Sequence, residues 1–431
     1  MLIQFNFKNY KSFRDEVSLD LTATRVAGHP DHVVELGGDK LLLIAAIFGA
    51  NASGKSCIYS AFNFMSYYVA NSFSFGGDSN TSKGQSSMLR VTPYMFDSVS
   101  RMEPTSFEVF FIDSTDTKER TYQYGFSILG TEIMEEWLYS KAKTARNHYR
   151  TIFCRKKDEP LQTDGLTDKE REILISTLEP ETLLVSLGAK LKISRLKRIR
   201  DWFLSNEIVD FGDPDENLFR SHMLPRNFTD SKEVQDNVIH YFSTFDDSIS
   251  GFHIEEVQNA DSVNENDKTY KIDSLHHMDD SDKEATIPLQ DESSGTLKMF
   301  ALYPSLKEVL DHGSVMFVDE LNAKLHPLLV RNIILTFTNP EINVNHAQLI
   351  FTTHDIWQFS GDLLRRDEIW ITEKQKGRSS LYSVVDFIGE DGAKVRKSEA
   401  LSKNYLLGEY GGIPALHPFD MLKGTDSSGR K

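Results

Sequence analysis

The segment Gly49-Ala50-Asn51-Ala52-Ser53-Gly54-Lys55-Ser56 carries glycines five positions apart, then a lysine and a hydroxyl. Glycines at that spacing let the backbone bend so that several N–H groups aim at one point, and a helix starting there adds its positive end. Phosphate is the guest such a loop suits. Lys55 is placed to reach the β and γ phosphates of a nucleoside triphosphate such as ATP, and the Ser56 hydroxyl is placed to ligate Mg²⁺.

Three further groups have types that would complete phosphoryl chemistry. Val315-Met316-Phe317-Val318 is followed by Asp319 and Glu320. Asp319 can hold Mg²⁺ through its water shell, and Glu320 can polarise a water for in-line attack on a γ-phosphate. Alone, two acids after a strand often mark only a helix start. His354 follows the apolar run LIFTT, where an imidazole can hydrogen-bond a γ-phosphate. Ser293, Ser294 and Gly295 open a helical pattern running from Leu297 to Leu306. They read either as an N-cap or as a second anion site made of hydroxyls, free N–H groups and the helix dipole.

These residues need a scaffold that brings them to one edge. Leu41 to Phe48, LLLIAAIF, reads as a buried strand entering the glycine loop, and Cys57 to Val69 as the helix leaving it. Val315–Val318 and Leu349–Thr352 read as two more buried strands, so polar chemistry would gather at strand ends, the usual layout of an open α/β sheet. At the N-terminus Ile3, Phe5 and Phe7 alternate with Gln4 and Asn6, which predicts a half-buried strand with the three apolar residues on one face. Runs at Phe107–Ile112 and Tyr122–Ile128 flank STDTKER and predict a small antiparallel β lobe.

From Thr131 to Phe252 the texture is more helical, and 259–285 is acidic and reads as loops around a short strand. The expected fold class is therefore α/β. The expected organisation is 1–130 as the first part of a phosphate-binding head with its β lobe, 131–252 as a mainly helical insertion lobe, and 253–431 as the second part of the head.

Composition narrows the setting. The chain has 431 residues with 48 Lys and Arg against 64 Asp and Glu, a net charge of −16. That balance excludes wholesale coating of nucleic acid, which needs clustered positive charge. A hydrophobic fraction of 39% with 26% charged residues is that of a globular chain with a core. Two cysteines, Cys57 and Cys154, make no disulfide framework and point to a reducing compartment. No apolar stretch approaches the ~20 residues of a membrane helix. The expected location is cytoplasmic, with no membrane partner.

The most concentrated positive charge is Lys190, Lys192, Arg195, Lys197, Arg198 and Arg200, on a helix whose other face is apolar. It reads as a solvated face or as a contact for nucleic acid or an acidic protein. A second basic run spans Lys141 to Lys157. His276 and His277 beside Asp279 and Asp280 do not read as a metal site, because adjacent side chains rarely converge on one ion. Cys57 reads as helix packing.

Phe7-Lys8-Asn9-Tyr10-Lys11-Ser12-Phe13, GANASGKS, ESSGT, VDELNAKLHPLL, FTTHD, EIWITEK and GEYGGIP together resemble the ATP-binding-cassette ATPase heads of the SMC, RecF and OLD type. Among these the chain is similar to the AAA/ABC-type ATPases called RloA or AbiLi, bacterial proteins associated with restriction loci and abortive phage infection. The resemblance implies an ABC/SMC-like P-loop head, ATP and Mg²⁺ as cofactors, and hydrolysis with Glu320 as the base and His354 at the γ-phosphate.

It also implies a dimer, or higher homo-oligomer, with ATP between two heads. Ser293, Ser294 and Gly295 would then complete the partner's site. Such ATPases control a separately encoded effector, for which a nuclease, TOPRIM or RloB-like protein is the expected kind. Similar proteins often carry an Asp and a Ser where this chain has Asn322 and Lys324, and neither Gln85 nor Gln123 marks a glutamine loop. The alternative is a DNA-binding SMC/RecF-like ATPase of repair or chromosome maintenance. The long separation of Ser56 from Val315 disfavours a transporter subunit.

Overall fold

The computed structural model describes residues 1–75, 90–113, 115–145, 148–221, 224–245, 248–257, 269–278, 281, 283–387 and 400–414. The chain opens with β1 (Leu2–Lys8), β2 (Val17–Asp20), β3 (Val33–Leu36), β4 (Asp39–Leu42), β5 (Ile44–Gly49) and α1 (Lys55–Asn71). Four strands follow, β6 (Thr105–Ile112), β7 (Thr121–Leu129), β8 (Glu132–Lys141) and β9 (Arg150–Lys156). Helices α2 (Asp168–Thr177), α3 (Leu184–Lys190) and α4 (Ser194–Leu204) lead to β10 (Glu207–Asp210), α5 (Pro214–Ser221) and α6 (Lys232–Phe242). Then come β11 (Ile249–Val257), β12 (Thr269–His277), β13 (Glu284–Pro288), α7 (Ser294–His312) and β14 (Val315–Asp319). The last elements are α8 (Pro327–Thr338), β15 (Gln348–Thr352), β16 (Ile369–Gln375), β17 (Arg378–Ser383) and α9 (Leu401–Leu406).

The functional sheet has the order β10-β14-β15-β5-β16-β17. Its first five strands are parallel, and β17 returns antiparallel. Strands β5, β14 and β15 are buried along their whole length. Helices cover both faces of such a sheet, so its strands read as continuous apolar runs without alternation. Ala45, Ile47, Phe317 and Ile350 face α1, while Ile44, Ala46, Phe48, Val318 and Phe351 face a second core filled by α7 and α8. Parallel strands present their carboxyl ends at one edge, and that edge carries the chemistry.

The antiparallel lobe is a second sheet, β2-β1-β6-β7-β8-β9, which packs on the other side of α1. Phe5 meets Phe62 edge-on at 5.2 Å between ring centroids. The expected common face for Ile3, Phe5 and Phe7 is corrected here. The pairing of β1 with β6 shifts register between Leu2 and Gln4, so Leu2 joins Phe5 and Phe7 in one core while Ile3 enters the other.

The helical segment is narrower than the sequence predicts, because its first residues are strands β8 and β9 of this lobe and β10 joins the functional sheet. The alternation of β8 is disguised by Glu136, an acid at a fully buried position. Its carboxylate accepts the backbone N–H groups of Leu184 at 2.7 Å and Val185 at 3.1 Å, and the Tyr124 hydroxyl at 3.0 Å. Those amides belong to the first turn of α3, whose donors have no partners within the helix. A third sheet, β11-β12-β13, occupies the stretch expected to be mostly loop, and residues 258–268 fall outside the described ones. It shares a core of Phe228, Phe242, Phe252 and Phe300 with α6 and α7.

Candidate functional site

The loop after β5 is held by backbone that only particular residues tolerate. Gly49 has φ 154°, and a Cβ there would lie 2.3 Å from the Thr372 hydroxyl and 2.5 Å from its carbonyl. Gly54 has φ 123°, and a Cβ there would meet the Phe13 ring and the Ser379 hydroxyl at 2.9 Å. Both glycines are therefore dictated by close approach of β16 and β17 as well as by φ. The Ser53 and Thr372 hydroxyls are hydrogen-bonded, which ties the loop to β16.

Lys55 opens α1 and is buried, 4% exposed. Its ammonium donates to the carbonyls of Gly49 at 2.8 Å and Ala50 at 3.1 Å. Burial lowers its pKa to about 8, with Asp319 and Glu320 pulling the other way. A desolvated cation at a loop of N–H groups is an anion receptor. The cleft above it has about 700 Å³ and is lined by Ser12, Asn51, Ala52, Gly54, Lys55, Ser56, Cys57, Glu320, His354 and Lys374.

The opposite wall comes from β14 and β15. Asp319 is 2% exposed, and one of its oxygens accepts the Thr352 hydroxyl. The same hydroxyl oxygen accepts the Glu320 N–H at 2.9 Å. Glu320 sits at φ 52°, a left-handed conformation costing ~1 to 3 kcal/mol in a residue with a side chain. The Ala323 N–H closes the turn on the Glu320 carbonyl at 2.8 Å. That strained turn carries the carboxylate into the cleft, 3.8 Å from Nε2 of His354.

His354 Nδ1 lies 3.4 Å from Nζ of Lys55. Burial lowers the imidazole pKa, the Lys55 charge lowers it further, and Glu320 and Asp319 oppose both. A neutral ring whose Nδ1 faces an ammonium carries its proton on Nε2, where it can donate. The Asn322 amide oxygen fixes the histidine backbone, accepting its N–H at 3.2 Å and the Thr353 hydroxyl at 2.8 Å.

A sequence-family profile described as "AAA domain, putative AbiEii toxin, Type IV TA system" matches residues 44–356, from the phosphate-loop strand through His354. The chain belongs to this AAA-domain family. No curated protein matches it. Among solved structures, this AAA-domain chain is similar to an SMC head bound to the C-terminal winged-helix domain of ScpA, with 12% identity, 89% of this chain and 97% of that chain covered, and a TM-score of 0.41. It is also similar to the recombination mediator RecF with ATPrS, with 11% identity, 88% and 98% covered, and a TM-score of 0.35.

Within the AAA domain, the structure brings the 49–56 loop, Glu320 and His354 to one cleft, with Asp319 just behind it. Ser293, Ser294 and Gly295 are not among the residues lining it. Ser293 caps α7, its hydroxyl accepting the Thr296 N–H at 3.1 Å, and a Glu292 carboxylate oxygen lies 2.7 Å from Nε2 of His276. Asp279 and Asp280 fall outside the described residues, as does Gln85, while Gln123 donates to Glu108 within the antiparallel lobe at 2.7 Å.

The basic segments are partly compensated, and in the first of them Arg195 donates to the Gly165 carbonyl while Lys190 lies 5.0 Å from the Phe73 ring centroid. Arg198 pairs with Asp116 at 3.2 Å and Asp113 at 3.7 Å, Lys197 with Asp201, and Arg200 donates to the Ala70 carbonyl. In the second run Lys143 pairs with Glu119 at 2.6 Å and Lys157 with Glu132 at 2.8 Å. Cys57 is half-buried and accepts the Ser12 hydroxyl at 3.5 Å, so it faces the cleft as well as packing in the helix. Sequence reasoning missed Ser12, Thr352, Thr372 and Lys374 as parts of the site. The signal for the last two was their place at the end of an apolar run, EIWITEK, like those ending in Asp319 and His354. Among the described residues, no helix is long and apolar enough to cross a membrane.

Proposed function

We propose that this chain binds and hydrolyses ATP as a cytoplasmic regulatory ATPase of the RloA/AbiLi kind, acting in bacterial anti-phage defence by controlling a separately encoded effector. The observation that carries the ATPase reading is the convergence of a desolvated Lys55, the strained Glu320 and the neutral His354 on one cleft.

In this reading the triphosphate draws Lys55 from the Gly49 and Ala50 carbonyls onto the β and γ oxygens. Glu320 orients a water and takes its proton as the water oxygen bonds to the γ-phosphorus and the bond to the bridging oxygen breaks, leaving ADP and phosphate. His354 donates from Nε2 to the γ-phosphate. A hydroxyl at Ser56 in the cleft with the Asp319 carboxylate behind it is an all-oxygen donor set of the kind Mg²⁺ prefers, held mainly through its own waters. When bound, that ion would neutralise charge on the phosphates.

Because Ser293–Gly295 lie off the cleft of their own chain, we assign them to the ATP of a second head in a dimer. Lys55→Ala is expected to abolish ATP turnover by the purified chain. Wild-type protein that neither binds nor hydrolyses ATP would sink the reading. Coexpression with the neighbouring gene product, with and without phage, tests the effector step, and no association in either state would count against it. ATPase assays with duplex DNA decide the repair alternative, which requires stimulation that disappears on charge reversal of Arg195 and Arg198.

A further inference from the structure

Lys298 lies one helical turn beyond Ser294 on α7, and it is 7% exposed. Its ammonium reaches three groups from two other elements. It donates to the Ala323 carbonyl, in the turn that follows Glu320, and to the Phe211 carbonyl at 3.4 Å, and it lies 4.0 Å from the centroid of the Phe211 ring. Phe211 follows β10 directly, and its own N–H donates to the Asp319 carbonyl at 2.9 Å.

The next residue, Gly212, forms a floor under Glu320. A Cβ at Gly212 would lie 3.0 Å from Oε2 of Glu320 and 3.1 Å from an Asp210 oxygen. The start of α7 also abuts the same turn, since a Cβ at Gly295 would lie 3.9 Å from the Lys324 carbonyl. Both segments that hold Glu320, the 320–324 turn and the 211–212 floor, are thus joined at one buried ammonium carried by the helix that begins with Ser293–Gly295.

We propose that Lys298 is a positioning residue that couples the α7 N-terminus to the Glu320 carboxylate, so that engagement of Ser293–Gly295 sets whether Glu320 is aligned for attack. Lys298 is not among the residues that line the cleft. A shift of α7 along its axis carries the ammonium with it, and both carbonyls follow because a buried cation that gives up its acceptors is left with an uncompensated charge. The inference rests on the ATPase reading of the same cleft.

The test measures ATP affinity by calorimetry and single-turnover hydrolysis on the full chain, for wild type, Lys298→Met, Gly212→Ala and the double variant. Wild-type turnover that Lys55→Ala abolishes establishes the ATPase reading first, so failure of the coupling is distinguishable from failure of that reading. Lys298→Met is expected to lower turnover roughly thirtyfold with ATP affinity unchanged, since sub-ångström misplacement of a reacting group is costly. Gly212 is not at a left-handed φ, so its added methyl acts by displacing the carboxylate, and Gly212→Ala is expected to lower turnover roughly fivefold.

The double variant should lose less than the product of the two, because both act on one carboxylate. If Lys298→Met folds poorly, Lys298→Gln retains an N–H donor and should keep turnover between wild type and Gly212→Ala. Wild-type turnover in either single variant, parallel loss of ATP affinity and turnover, or strict multiplicativity in the double variant overturns the proposal.

Discussion

Lys55 and Lys298 occupy similar electrostatic settings and opposite chemical ones. Both are nearly buried, both are lowered from 10.5 to about 8 chiefly by burial, and both lie within reach of the Glu320 charge. Around Lys55 the enclosure opens onto a cleft of about 700 Å³ flanked by glycine-shaped backbone. Around Lys298 it is closed by two carbonyls and an aromatic face. Burial of a cation therefore does not by itself mark a ligand site. What separates a receptor from a strut is whether the partners that hold the ammonium can be exchanged for a ligand.

The sharpest way to break this contrast is at Lys55. Lys55→Ala should remove ATP binding and lower turnover by at least ~10²-fold, the scale of losing a preorganised donor to a phosphoryl group. Retained binding in a filter or calorimetric assay would make Lys55 another strut. Glu320→Gln comes next. It keeps shape and removes the proton acceptor, so hydrolysis should fall ~10²-fold or more while ATP stays bound and, in the proposed dimer, holds the two heads together. Wild-type hydrolysis in Glu320→Gln would move the base elsewhere. His354→Ala removes one charge-assisted hydrogen bond worth ~1.5 to 3 kcal/mol, predicting about a tenfold to hundredfold loss of turnover with little change in the thermal midpoint.

The receptor half of the comparison was legible in the sequence and the strut half was not. The 49–56 loop is contiguous, so its glycines, lysine and hydroxyl stand out by spacing alone. Asp319, Glu320 and His354 were legible because central parallel strands are buried on both faces and appear as uninterrupted apolar runs that end in chemistry. Lys298 looks like an ordinary helix residue until tertiary packing places Phe211 and Ala323 around it. Glu136 misled for the same reason, as its partners Leu184 and Val185 are remote in sequence. The bulge that separates Ile3 from Phe5 leaves no mark in an alternating pattern. His276, which does not read as a metal ligand, has Glu292 as a partner next to the cap of α7, a pairing that sequence distance hides.

Thr352 ties the two halves of the edge together, since its hydroxyl meets both Asp319 and the Glu320 N–H. Thr352→Val keeps volume and leaves a buried carboxylate oxygen and an amide short of a partner, which should destabilise the fold by about 1 to 3 kcal/mol in chemical denaturation. Turnover should fall with it, because Glu320 loses what holds its strained turn. A variant as stable as wild type would show that the hydroxyl is replaced by water or by another group.

The smallest effect tests the electrostatic likeness of the two lysines through the pH dependence at Lys298. Between about 8 and 10.5 the folded chain has shed a proton from Lys298 that the unfolded chain still binds. Stability contributed by that site therefore rises with pH across the window, as the charge that burial penalised disappears. The groups that act on it are Lys324, which lowers its pKa further, and Glu320 and Asp210, which oppose. Lys298→Met has no proton to lose, so its thermal midpoint relative to wild type should decline as pH is raised from about 7 to about 10. A gap that stays constant, or moves the other way, would mean that Lys298 keeps an ordinary pKa and that its two carbonyls hold a charge at no electrostatic penalty. The electrostatic likeness to Lys55 would then fail, and the contrast would reduce to one buried receptor and one ordinary lysine.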